Sequence, residues 1–195
     1  MFFWGAAGAS RDGLDAEPRG FSPVIARGVA RRCSYGYPQV LLCAAERGNR
    51  PFPTTFWLVC PHLTKLAGRL ESQNGVLKIE ESLSDREDLW RKYHRAHALL
   101  RLFMISGARR KFLMIHRPRM YDALRRGGVG GIEYGSAASR RTTAKCVHLQ
   151  LASYMGFGAH PASDWLEGNI ASWECGEELC SARASWPEAE QRWQF

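Results

Sequence analysis

Thr54-Thr55-Phe56-Trp57-Leu58-Val59-Cys60-Pro61 reads as a strand that runs straight into a helix. Aromatic and β-branched residues favour extended backbone. Pro61 then opens the helix, where its missing N–H leaves no bond unmade. Upstream, Pro38-Gln39-Val40-Leu41-Leu42-Cys43 is a second strand, and Glu46-Arg47-Gly48-Asn49-Arg50 is a turn between the two. The pair predicts an antiparallel hairpin.

Downstream the periodicity becomes helical. Leu63, Leu66 and Leu70 give the first helix a buried face, and Asn74-Gly75 ends it. Ser84 with Glu87 predicts a capping box that opens a helix to about Ile105. Its apolar stripe is Leu89, Tyr93, Ala96, Leu100 and Phe103 or Met104. A further helix covers Arg110–Leu124, interrupted near Pro118. Gly127-Gly128-Val129-Gly130-Gly131-Ile132 lacks the Gly-Lys-Ser/Thr ending of a phosphate loop and reads as a tight turn or close backbone approach. Thr142 or Thr143 caps a helix to about Phe157, and Pro161 starts another over Ala162–Trp173. The expected fold class is α+β: a mostly helical single domain with a small antiparallel β-hairpin or sheet in the N-terminal third, helices on one face of it.

Three regions are expected: a poorly ordered Gly/Ala/Asp-rich segment over 1–23, one globular domain over 24–173, and a C-terminal extension over 174–195 that folding does not require. Apolar residues make up 45% and charged residues 24%, enough to build a core without disulfides or metals. The apolar start, Met1 to Ser10, is short and lacks a basic leader, and no uncharged apolar run approaches the ~20 residues that span a bilayer. The chain therefore reads as cytoplasmic, with six cysteines expected as thiols, metal ligands or reactive groups. The net charge of +8 permits nucleic acid as a partner. Yet the cations between Arg109 and Arg126 do not gather on one helical face, so only weak, sequence-independent binding is expected.

The cysteines carry the most chemistry. Cys60 precedes Pro61, Cys146 lies at the start of a predicted helix, and Cys33 follows Arg31-Arg32. Helix N-termini and nearby cations favour ionised sulfur. His148, two residues after Cys146, is a possible fourth ligand, although i and i+2 point apart on a regular helix. Cys43 reads as a core residue, and Cys175 and Cys180 as exposed thiols in a polar tail. His62 is a weaker candidate as base for Cys60. His94 and His97 read as a solvated or satisfied pair, and Glu71, Glu80 and Glu81 have no partner that marks them as acid/base groups.

Several blocks resemble a known family. They are Ala30-Arg31-Arg32-Cys33, Tyr35-Gly36, Pro38-Gln39-Val40, Pro51 through Pro61, Arg69-Leu70-Glu71, Gly128 through Ile132 and Lys145-Cys146-Val147-His148-Leu149. Over about residues 24–170 the chain resembles the bacterial family called domain of unknown function 501. The resemblance implies no reaction. It implies that Cys33, Cys60, Cys146 and His148 belong to the family pattern, whereas Cys43, Cys175 and Cys180 fall outside it. Relatives carry histidines where this chain has Gln150 and Ser153, and asparagine where it has His160.

Two functions follow as expectations. One is a metal or iron–sulfur protein, with enzymatic activity left open. Cys33, Cys60 and Cys146 would be ligands within the span of one site, with zinc or an iron–sulfur cluster as cofactor. His148 would be the fourth ligand or an acid/base group. Arg32 and Lys145 would offset the thiolate charge or bind an anionic substrate. The other is a non-catalytic basic adaptor whose faces contact nucleic acid or an acidic protein.

Overall fold

The structure, a computed structural model, describes residues 25–134 and 140–180. The poor order expected over 1–23 and most of the extension expected over 174–195 lie outside the described residues.

The predicted hairpin is one part of a three-stranded antiparallel sheet. β1 (Ala26–Arg32), β2 (Pro38–Cys43) and β5 (Phe56–Leu58) lie in the order β1-β2-β5, and a two-residue ladder of β3 (Glu46–Arg47) with β4 (Arg50–Pro51) forms the turn. The β1–β2 register shifts in three places. Strand β1 escaped the sequence reading because Ala-Arg-Gly-Val-Ala-Arg-Arg has one β-branched residue and little alternation.

Side chains alternate across the sheet. Val40, Phe56 and Leu58 face the main core with Leu63, Ala67, Val147 and Leu151. Leu41 and Cys43 face a smaller cluster with Ile25, Ala26 and Ala44. Cys43 is the core residue expected, and burial pushes its thiol up to about 12. A third cluster, around Ile105, Leu113, Met120 and Leu124, lies under the helices that follow.

Among the described residues there are seven helices: α1 (Pro61–Ser72), α2 (Gly75–Ser82), α3 (Glu87–Phe103), α4 (Gly107–His116), α5 (Pro118–Arg126), α6 (Val147–Phe157) and α7 (Ser163–Asn169). The α+β class holds. No helix among them is long and apolar enough to cross a membrane.

Four expectations are corrected. Asn74 takes a left-handed conformation (φ 61°) and the chain re-enters a helix at Gly75, so the predicted stop is a joint between α1 and α2. The Ser84 capping box does not form: Ser84 Oγ donates to Glu81 O, and Arg86 caps α3 without a side-chain bond. Thr142 and Thr143 belong to strand β7 (Arg140–Ala144), which pairs with β6 (Gly130–Tyr134). α7 ends at Asn169 rather than near Trp173. The glycine run does make the close approach expected, since a Cβ at Gly130 would strike the Thr143 carbonyl and Trp90.

The buried face of α3 follows the expected stripe only in part: Tyr93 and Leu100 pack into the core as expected. Trp90, Tyr93, His97 and Arg101 point inward, while Leu89, Leu99 and Phe103 are exposed, Phe103 by 74%. Arg101 is fully buried. Its Nε donates to Leu124 O (2.9 Å), its Nη1 to Pro53 O (3.2 Å) and Thr55 Oγ1 (3.1 Å), and its Nη2 to Gly127 O. Two of these acceptors lie at the C-terminal end of α5, where carbonyls lack helical partners and the dipole is negative. Burial lowers the guanidinium to about 10.

Candidate functional site

Where α1 ends and α6 begins, three ligand-type side chains converge. Cys146 is the N-cap residue of α6, in extended backbone (ψ 152°), and makes no capping bond with its own side chain. Glu71, in the last turn of α1, takes that place: its Oε1 accepts the His148 N–H (3.4 Å) and contacts His148 Nδ1 (2.8 Å). One donor atom each from Glu71, Cys146 and His148 all lie within 4.8 Å of one another, the one such group of three among the described residues. Cys146 is exposed, and Glu71 and His148 are half-buried. The extended N-cap explains how Cys146 and His148 share a site despite their i, i+2 spacing: the helix begins between them.

The orientation of His148 is informative. Its Nε2 faces Thr64 O at 3.1 Å, so this nitrogen donates. A neutral ring that donates from Nε2 has a lone pair at Nδ1. That lone pair would face a carboxylate oxygen 2.8 Å away. At 2.8 Å the contact has the length of a hydrogen bond; an ion held by both atoms at ~2.0–2.1 Å in a tetrahedron would set them ~3.3 Å apart and so replace that contact. A histidine ligand usually donates its other N–H to a carbonyl or carboxylate, which Thr64 O provides here.

Cys33 and Cys60 are not part of this group. Cys60 is the N-cap of α1, and its α-carbon is separated from that of Glu71 by ~16 Å of helical rise. Burial raises the Cys60 thiol, the amides of Leu63 and His62 oppose this without a capping bond, and Cys175 and Cys33 add to the rise. Cys33 opens the β1–β2 turn, where its N–H donates to Tyr37 O (2.9 Å). The structure thus divides the expected three-sulfur set, with Cys146 and His148 in one place and Cys33 and Cys60 in another. Arg32 and Lys145 divide in the same way: Arg32 Nη1 donates to Gly36 O (2.7 Å) in the β1–β2 turn, whereas Lys145 is exposed beside Cys146. His62 Nε2 is engaged with Ser172 O (2.9 Å).

Sequence reasoning passed over Glu71, because its partner lies 77 positions away. It also misread Cys180, which is buried rather than exposed, and the histidines of α3. His97 is 1% exposed and neither ring nitrogen has a hydrogen-bond partner among the described residues. It is neither solvated nor satisfied, but lies edge-on to Tyr93 (4.9 Å between centroids) and Phe157 (4.6 Å). Burial, reinforced by Arg101, pushes it down to about 2. Buried His94 Nε2 also lacks a partner among the described residues, whereas the Tyr93 and Ser153 hydroxyls face each other. His160 is held neutral: Nε2 donates to Gln150 Oε1 (3.0 Å), Nδ1 accepts the Ala162 N–H (2.9 Å), and burial lowers it to about 3.

No curated protein and no solved structure matches the chain. A family model does match, and it covers residues 29–167, which include Cys33, Cys60, Glu71, Cys146 and His148. The blocks that suggested kinship in the sequence lie within those limits, and the chain belongs to the family described as Protein of unknown function (DUF501).

Proposed function

We propose that the protein binds a zinc-class divalent cation through Glu71, Cys146 and His148, with one coordination position open to water or substrate. The observation that carries this reading is the mutual approach of the three donor atoms within 4.8 Å, with His148 Nδ1 turned to Glu71 and Nε2 spent on Thr64 O. Mixed sulfur, nitrogen and oxygen donors suit zinc, which takes each of these ligand types. Three protein ligands and a free position are the arrangement of zinc sites that activate water or polarise a carbonyl. An iron–sulfur cluster receives less support, because this group supplies one thiolate where such clusters take several. Exposed Lys145 would favour an anionic substrate beside the metal. All six cysteines are free thiols, as suits the cytoplasmic setting inferred for the chain.

The adaptor reading receives less support from the basic segment. Arg109 is paired with Glu46 (2.9 Å), and Arg125 and Arg126 with Asp122 (3.1 and 2.8 Å).

The test is zinc competition against a chromophoric chelator, with metal content measured on anaerobically purified protein. Glu71→Gln, Cys146→Ala and His148→Ala should each lose one equivalent of tight metal while keeping the helical circular dichroism of the parent. Removal of any of the three without change in metal stoichiometry would leave a simple imidazolium–carboxylate clip between α1 and α6, and the reading would fail.

A further inference from the structure

From Leu89 to Tyr121 the chain carries nine Lys and Arg and neither Asp nor Glu, so the net charge of +8 resides in this stretch. It builds most of α3, all of α4 and the start of α5. Arg101 is buried, Arg91 is paired with Glu87 (2.8 Å) and Arg109 with Glu46 (2.9 Å). Lys92, Arg95, Arg110, Lys111, Arg117 and Arg119 form no ion pair among the described residues.

Large apolar side chains stand among these cations. Of its bulky apolar residues α4 buries only Leu113. Phe112, Met114 (55%) and Ile115 (60%) are exposed, as are Leu99 (55%) and Phe103 (74%) of α3. Lys111, Met114 and Ile115 are spaced i, i+3, i+4 and so share one side of α4. On α3, Lys92, Arg95, Leu99 and Phe103 recur at intervals of three or four, and all are exposed, which makes one solvent-facing stripe. Leu102 of α3 and Leu113 of α4 pack in one cluster with Ile105, which sets the end of α3 beside α4. A single apolar residue on a surface needs no explanation, but five on two adjacent helices do.

Positive charge selects an anionic partner, and the apolar residues select among anions. A nucleic acid would meet the cations through phosphate and leave Phe103, Met114 and Ile115 in water. A protein helix docks in a groove, whereas α4 is a ridge exposed around most of its circumference. An anionic lipid surface uses both features. Its phosphates attract the cations, and bulky apolar side chains enter the boundary between headgroups and acyl chains without a matched pocket. Lys and Arg stems lie along apolar surface while their charged ends reach the headgroups.

We infer that α4 and the end of α3 bind the surface of an anionic bilayer, with Met114, Ile115 and Phe103 inserted and Lys111 and Arg117 on lipid phosphates. The protein lies on the membrane rather than across it, since no described helix is long and apolar enough to span one. This face shares no residue with Glu71, Cys146 and His148 and does not depend on that reading.

The test is flotation of the full chain with vesicles of phosphatidylcholine alone, or of phosphatidylcholine with about 30% phosphatidylglycerol. Binding to the anionic vesicles should be about tenfold stronger or more. Met114→Gln with Ile115→Gln should weaken it by about tenfold or more through loss of the inserted side chains. Lys111→Gln with Arg117→Gln should do the same, because each cation near such a surface contributes about fivefold. All four positions are exposed and glutamine is a good helix former, so both variants should keep the circular dichroism of the parent. Absence of binding, equal binding to neutral vesicles, or anionic binding that the Met114–Ile115 pair leaves unchanged overturns the inference. So does a complex with polyglutamate or duplex RNA that is tighter than the vesicle complex and depends equally on both pairs.

Discussion

Lowering the pH should unfold this protein through its buried histidines, and His97 is the ring to test. It is 1% exposed, its nitrogens have no partner among the described residues, and burial, with Arg101, His94 and His160, opposes its charge. Its folded pKa lies near 2 against an ordinary 6.5. The unfolded chain thus takes up a proton below pH 6.5 that the folded chain refuses. The associated stability is fully present above about pH 6.5 and is lost as the pH falls toward the folded value. At pH 4.5, two units below the unfolded pKa, the loss is about 2.7 kcal/mol at 1.36 kcal/mol per unit. His160, pushed to about 3, loses a similar amount over the same interval. Together they remove about 5 kcal/mol, comparable to the whole stability of a marginal domain. His97→Leu keeps the volume roughly constant and deletes the titrating ring. Urea unfolding at pH 7.5 and 4.5, followed by tryptophan fluorescence, should show the variant gaining about 2.7 kcal/mol on the parent as the pH falls. Parallel pH dependences, within about 0.5 kcal/mol, would refute the assignment of a neutral, isolated ring.

Other outcomes follow from single contacts. Arg101→Met should lower stability by about 3 kcal/mol or more, because Leu124 O, Pro53 O, Gly127 O and Thr55 Oγ1 lose their donor. Lysine at that position should recover only part of it, since one ammonium cannot reproduce the planar fork. Gly156→Ala should cost about 1–3 kcal/mol by chemical denaturation, because the added Cβ runs into the Phe56 ring. Duplex DNA should bind weakly and without sequence preference, with affinity falling by ~0.9 log units per phosphate contact for each tenfold rise in salt. Tight, selective binding at physiological salt would instead return the adaptor reading to first place.

What the sequence disclosed follows from how far each signal reaches. The strand at Phe56–Leu58, its junction with α1 and the break at Pro118 are local, encoded by β-branched, aromatic and proline residues. Strand β7 was read as helix because two threonines before an apolar run mimic a cap, whereas the partner that makes them a strand is β6. The face of α3 is partly misplaced because hydrophobicity assigns Leu89 and Phe103 to the interior. The tertiary structure instead buries Arg101, whose acceptors come from two other segments. The candidate site was half visible: Cys146 and His148 are sequence neighbours, but Glu71 acquires meaning only when α1 is laid beside α6. No spacing rule separates Cys146 from Cys60 and Cys33, because that division depends on which end of α1 each approaches.

The irregular register of β1 also bears on how copies of this protein meet. Among the described residues β1 pairs only with β2 and so forms an edge of the described sheet. A flat, regular strand in that position would be a template for a second copy. The repeated register shifts of β1 bend its backbone, and Arg27, Arg31 and Arg32 place like charges along it. A neighbouring copy approaching edge to edge would meet mismatched hydrogen-bonding groups and repulsion together, which keeps a three-stranded sheet from growing.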